Sequence, residues 1–278
     1  MRIPKLVVVA GIVLAAAVPA QALSVNGASA ELDMRVTLTR SDGLVMTFVP
    51  GHGWNGSYAY VYTDVGGAVS EDEMEHGAWP NQPSTASAST LNGAANGSVA
   101  VTTAGFDYSL HADAMVEGLA IGDHGLAMGN AYAWPDYLRT DAPGTATLTI
   151  NYAYTLDARD TCDNAEASVF MNAFFADHAR DNYLTAQDDW TVGPPNGNGT
   201  TNVQHTVSID AGEYLMVSDS VSWDVVIPST GEPYSWWSIW AYGEAQVEVD
   251  PIPEPITMAG MLMAVGGLAG YIRRRRMA

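Results

Sequence analysis

Alternation of apolar and polar positions, not any helical period, organises most of this chain. From Thr145 to Leu156 the sequence places Leu148, Ile150, Tyr152, Tyr154 and Leu156 on one parity and small or polar residues on the other. A period of two is the mark of a half-buried strand. Glu213–Val221 and Ser235–Val249 follow the same rule, the latter carrying Trp236, Trp237, Trp240 and Tyr242 ahead of Val247 and Val249. Shorter β-branched or aromatic runs predict strands at Leu32–Leu38, Leu44–Val49, Tyr58–Tyr62, Val99–Thr103, Phe106–Met115, Leu126–Trp134, Ala167–Phe175 and Val203–Ile209. Eleven strands without helical crossovers imply an all-β fold: an antiparallel β-sandwich of jelly-roll-like connectivity.

Between the strands lie turn signals: Asn26-Gly27, Asn55-Gly56, Gly66-Gly67, Asn92-Gly93, Asn96-Gly97, Asn196-Gly197, Asn198-Gly199 and Ala211-Gly212. These residues tolerate the positive φ angles that tight hairpins require. Ser70–Ser98 and Pro194–Asn202, rich in Pro, Ser, Ala and Asn, read as long surface loops within one domain spanning residues 23–250.

The two ends read differently. Arg2 and Lys5 precede an uninterrupted apolar stretch from Leu6 to Val18, and Ala20-Gln21-Ala22 follows it. That stretch is too short for a membrane span and fits a secretory signal peptide, with cleavage expected after Ala22. Near the other end, residues 256–272 are apolar and uncharged, and Arg273, Arg274, Arg275 and Arg276 stand directly behind them. Seventeen residues at ~1.5 Å each reach about 25 Å, a short but sufficient transmembrane helix. Basic residues stay on the cytoplasmic side, so the body faces outward.

Ile252-Pro253-Glu254-Pro255, the short glycine-rich span and the arginine cluster together resemble the PEP-CTERM sorting signal. Tails of this kind also carry the label "ice-binding protein C-terminal domain"; that label follows the tail, and nothing in the body points to ice. The resemblance implies recognition by exosortase, an integral membrane protease, through Pro253, Glu254 and Pro255. It further implies a stage with the ectodomain outside the inner membrane, followed by transfer to the cell surface or release.

Charge narrows the partners of the body. Residues 23–250 hold 30 carboxylates against Arg35, Arg40, Arg139, Arg159 and Arg180, a net charge of −25, and no lysine. Such a field repels nucleic acid and anionic headgroups. Two readings of the acidity remain: carboxylates that keep an exported domain soluble, or carboxylates that gather divalent cations. Cys162 is the one cysteine, so stability rests on the core and no intramolecular disulfide forms. Its acidic neighbours disfavour the thiolate.

Three constellations are candidates for chemistry. Glu71-Asp72-Glu73-Met74-Glu75-His76 is dense in oxygen donors, with a solvated loop as the plainer reading. Asp157, Asp160, Asp163 and Glu166, beside Asn164, form an acidic turn between two long strands, a candidate Ca²⁺ site that lacks the EF-hand spacing. Tyr234, Trp236, Trp240 and Tyr242 share one strand face, with Trp223 and Trp54, Tyr58, Tyr60 and Tyr62 elsewhere in the chain. These rings either fill the space between sheets or form an exposed platform on which sugars stack. The six histidines are scattered singly.

No nucleophile elbow, zincin helix, dinucleotide fingerprint or phosphate loop is present, so no catalytic residue and no resident cofactor is expected. The expectation is a non-enzymatic, surface-destined structural or adhesive protein associated with exopolysaccharide. The alternative is a secreted carbohydrate-active enzyme or a polysaccharide-binding module.

Overall fold

The computed structural model describes residues 26–43, 47–48, 53–78, 82–101, 106–134, 138–139, 144–159, 164–176, 187–193, 200–227 and 237–249. Fifteen strands occur among them: β1 (Asn26–Arg40), β2 (Thr47–Phe48), β3 (Trp54–Val65), β4 (Ala68–Ala78), β5 (Ser84–Ser89), β6 (Gly93–Val101), β7 (Phe106–Leu119), β8 (His124–Trp134), β9 (Leu138–Arg139), β10 (Gly144–Asp157), β11 (Asn164–Ala176), β12 (Thr191–Val192), β13 (Thr200–Asp210), β14 (Tyr214–Ile227) and β15 (Trp237–Glu248). No helix among the described residues is long and apolar enough to cross a membrane. The signal segment 1–22, the Pro-Glu-Pro motif and the apolar segment 256–272 lie outside the described residues.

Two antiparallel sheets form the sandwich, and β2 and β9 pair with each other as a separate two-stranded ribbon. One has six strands in the order β14-β10-β1-β7-β6-β5; the other has seven in the order β12-β13-β11-β15-β8-β3-β4. They pack face to face, with β7 and β6 against β8, β6 against β3, and β1 and β7 against β15. The period read from Thr145–Leu156 is the one observed: Leu148, Ile150, Tyr152, Tyr154 and Leu156 are all buried. On β1 the same alternation buries Leu32, Met34, Val36 and Leu38.

Bulk is unevenly distributed in this core. Where β5, β6, β7 and β1 meet β3, β8 and β15, the inward residues are mostly small: Ala86, Ala88, Ala95, Ala112, Ala114, Ala59, Ala127, Ala131, Ala241 and Ala245. A Cβ added to Gly97 would lie 2.0 Å from the Asn130 carbonyl oxygen, and one added to Gly129 would lie 2.2 Å from that of Asn96. The two backbones therefore touch at this point, and only glycine permits it. Toward β14 and β12 the sheets are held apart by a cluster of Trp190, Trp223, Tyr152, Tyr154 and His205, with Trp190 and His205 stacked at 5.5 Å.

All eleven expected strands occur, mostly with wider bounds, but Ser70–Ser98 is not a loop. It contains β4, β5 and most of β6. Their sequences are poor in the β-branched and aromatic residues that signal strands, yet Ser84, Ala86, Ala88, Gly93, Ala95, Gly97 and Val99 all point inward and are buried. Packing on the opposite sheet selects small residues here, and β-propensity yields to fit. Asn96-Gly97 and Asn55-Gly56 likewise sit within strands and not in turns. Gly66-Gly67 does form its hairpin, with φ of 61° and 79°, joining β3 to β4. From Pro194–Asn202, residues 200–202 open β13 and 194–199 lie outside the described residues.

Both β1 and β15 reach the same pole of the sandwich. Asn26 pairs with Leu119 at the start of β1, and Val249, just past β15, exchanges backbone hydrogen bonds with the 120–123 turn (Gly122 N to Val249 O 2.7 Å, Val249 N to Asp123 O 3.0 Å). The chain thus leaves toward its tail beside the point where β1 begins.

Candidate functional site: an aromatic and acidic face on the seven-stranded sheet

Strand alternation puts one parity of the seven-stranded sheet in the core and turns the other to solvent. On the solvent side β3 presents Trp54, Tyr58, Tyr60 and Tyr62, β8 presents Tyr132 and Trp134, β15 presents Trp240 and Tyr242, and β11 presents Phe170 and Phe174. Trp54, Trp134 and Trp240 are 37%, 42% and 39% exposed. Tyr132 is the hub, with ring centroids 5.2 Å from Trp54, 6.3 Å from Trp134 and 6.4 Å from Trp240.

Two glycines shape this cluster. The Tyr132 ring lies across Gly56, where an added Cβ would fall 2.1 Å from its Cζ, and the Trp54 indole lies across Gly77, 2.5 Å from its Nε1. Gly56 and Gly77 face each other across β3 and β4. Rings from neighbouring strands fill the space the glycines leave, so Asn55-Gly56 serves ring packing, not a turn.

Carboxylates rim the rings. Glu75, Glu73 and Glu71 on β4 stand opposite Tyr58, Tyr60 and Tyr62. Burial, reinforced by Glu73, raises the Tyr58 phenol, and burial with Glu71 does the same for Tyr60. Burial also raises Tyr132, whose hydroxyl is 3.5 Å from Glu75. Tyr242 is raised by burial and by its hydrogen bond to Glu244. Phenols that stay protonated can donate to these carboxylates.

The acidic run 71–76 is therefore strand β4, and alternation splits it. Asp72 and Met74 reach the free edge of β5, where the Ser89 amide donates to Asp72 Oδ2 at 2.8 Å and the Ser87 amide lies 3.5 Å from Met74 Sδ. His76 Nδ1 lies 3.0 Å from Ser84 Oγ. These contacts close one side of the sandwich and cover an edge that would otherwise pair with other chains.

Of the second acidic candidate, Asp157 and Glu166 are described, and they belong to different sheets. Asp157 is bound by Arg159 (2.6 Å and 3.0 Å) and held below its usual range mainly by that hydrogen bond; Arg159 also sits 4.1 Å over the Tyr214 ring. Glu166 faces outward on β11, the opposite side of the sandwich from the outward parity of β10 that holds Asp157. Asp160, Cys162, Asp163, Tyr234 and Trp236 lie outside the described residues. Trp223 belongs to the core, 5% exposed, and not to the solvent-facing rings.

One constellation was invisible in the sequence. On the outer face of the six-stranded sheet, His111 Nδ1 lies 2.8 Å from Asp33 and Nε2 lies 2.9 Å from Asp113, while Asn96 donates to Asp113 at 2.8 Å. The hydrogen bond to Asp113 leads in raising the imidazole to about 9, against the opposing effect of burial. Glu31, Asp33 and His111 bring ligand atoms within 4.8 Å of one another. A shallow groove of about 570 Å³ adjoins them, lined by Asp33, Arg35, Ser109, Asn151 and Ser218.

The C-terminal motif, and not the all-β body, indicates the class: an exported protein sorted via exosortase. Residues 251–276 match the family model of the PEP-CTERM protein-sorting motif. The tail marks a cell-surface protein held transiently in the membrane. Neither the curated proteins nor the solved structures contain a match.

Proposed function

We propose that this is a non-enzymatic structural or adhesive protein of the cell surface or extracellular matrix, and that its body binds exopolysaccharide. The carrying observation is the cluster of Trp54, Tyr132, Trp134 and Trp240, three strands wide and open to solvent. Monomeric soluble domains rarely expose contiguous rings without a partner. Aromatic faces flanked by the amides of Asn130, Asn172 and Gln204 suit a pyranose, which offers an apolar face and equatorial hydroxyls. Chain passages between the two sheets support a jelly-roll-like reading of the sandwich.

The alternative, a secreted carbohydrate-active enzyme, needs two carboxylates converging in a cleft. The aromatic face is an open sheet surface, and the groove that holds Asp33, bonded to His111, and Asp219 lies on the other sheet, away from the rings. Binding is therefore the better-supported reading. Affinity electrophoresis of the exported protein through gels containing the host exopolysaccharide tests it. Trp240→Ala and Trp134→Ala are each expected to weaken retardation by roughly 30-fold, the loss of about 2 kcal/mol typical of a central aromatic. Unchanged retardation in both variants, with folding intact, would refute this reading.

A further inference from the structure

The same face carries information about its ligand that the rings alone do not. Outward carboxylates flank the aromatic band along one edge, Glu71, Glu73 and Glu75 on β4, and toward one end, Glu244 and Glu248 on β15 and Glu166 on β11. Three arginines have described side chains and none of them faces this surface: Arg35 lies on the other sheet, paired bidentately with Asp107 at 2.9 and 2.7 Å, Arg40 is buried beside Asp42, and Arg159 caps Tyr214. His124, beside Tyr62 at 5.3 Å, is the one described base on it. A polymer of uronic acids or of sulfated or phosphorylated sugars would meet net repulsion here.

We infer that the aromatic face takes a cationic glycan, a polysaccharide containing amino sugars with free ammonium groups. This rests on the glycan reading above and specifies its substrate class. Glu75, Glu73 and Glu71 follow one another at every second residue of β4, ~6.8 Å apart, beside the row of Tyr58, Tyr60 and Tyr62. A repeating polymer presents an apolar ring face and a repeating charge together, and the face answers both with aromatic rings in one row and carboxylates in the next. The phenols orient the carboxylates by hydrogen bonding at Glu71, Glu73 and Glu244, so the acidic groups are placed at the ring edges and not scattered in solvent. Edge protection alone accounts for charge on β4, but it does not account for Glu244 on β15, deep within the sheet between β8 and β11.

The test uses the exported, processed protein and four probes at a pH where the amine is charged: partly de-N-acetylated poly-N-acetylglucosamine, its fully acetylated form, a polyuronate and polylysine. The expected result is tightest binding to the de-acetylated polymer and none to the polyuronate. The triple variant Glu71→Gln, Glu73→Gln, Glu75→Gln should lose about ten-fold toward the de-acetylated polymer while keeping its affinity for the acetylated one. Trp240→Ala should weaken both. If the triple variant binds the de-acetylated polymer as wild type does, or if wild type prefers the acetylated polymer, the cationic assignment falls and the glycan reading stands. Polylysine binding of equal strength that ignores Trp240→Ala would reduce the effect to bulk charge and overturn the assignment. If wild type binds neither glycan, both readings fall together. Far-ultraviolet circular dichroism of each variant confirms that its fold is retained.

Discussion

Removing the imidazole of His111 should alter how stability depends on pH in a defined direction. In the folded protein its two nitrogens meet Asp113 and Asp33 at 2.9 and 2.8 Å, with Glu31 opposite Asp113 in the strand register and the Arg35–Asp107 pair beyond. Its pKa is raised from 6.5 to about 9, so the native state holds a proton that the unfolded chain releases earlier. Stability from this group is fully present below about 6.5 and is lost as pH climbs toward 9. That gap corresponds to roughly 3 kcal/mol. At a side chain 31% exposed, solvent screening reduces the figure to about 1.5 kcal/mol. For a domain of this size the loss amounts to a fall in melting temperature of about 3–6 °C. Urea unfolding of wild type and His111→Gln at half-unit steps from pH 6 to 9.5 isolates the effect, since the other histidines and the carboxylates are common to both. The stability difference should be largest at pH 6 and shrink by about 1.5 kcal/mol at the alkaline end. A difference that stays constant with pH, or an imidazole resonance titrating near 6.5, would refute the reasoning.

Three further outcomes follow from the fold and the tail. Gly129→Val should cost more than about 3 kcal/mol or prevent folding, because its side chain meets the carbonyls of Asn96 and Asp113 on the opposite sheet; soluble yield and urea midpoints report it. Glu254→Ala should leave export intact and block tail processing, so that full-length protein accumulates in the inner membrane, visible by fractionation and immunoblot. Millimolar Ca²⁺ should raise the melting temperature no more than sodium chloride at matched ionic strength, because Arg159 holds Asp157 and Glu166 faces the other side. A Ca²⁺-specific rise in calorimetry would contradict that and place a site among the acidic residues.

Much of the architecture was legible because the core is built by alternation, and alternation survives in a one-dimensional string. The run from Leu148 to Leu156 declares which face is buried without any reference to its partners. β4 was not legible, because it is an exposed and largely acidic edge strand; β5 and most of β6 were not, because their inward residues are mostly alanine, glycine and serine, chosen for the nearness of the facing sheet. Gly97 and Gly56 looked like turn residues for the same reason: their function depends on Asn130 and Tyr132, atoms more than thirty positions away. The aromatic face was half legible. Trp240 and Tyr242 were singled out from β15, but the rings they join, Tyr132 and Trp134, come from β8 through strand pairing. His111 gave no signal at all, since Asp33 lies 78 positions away.

The position of β15 has a mechanical consequence. Trp240 stands near its first residue and the route to the tail leaves past its last, so eight residues, about 27 Å, separate the rings from the pole where the chain departs. The ring cluster and Val249 therefore lie at opposite ends of β15. A pull applied between the ring cluster and Val249 would run along a single strand that is flanked on both sides, by β11 and by β8. Such a load shears two hydrogen-bonded ladders along their length, so the bonds of both resist together and cannot be peeled open one at a time.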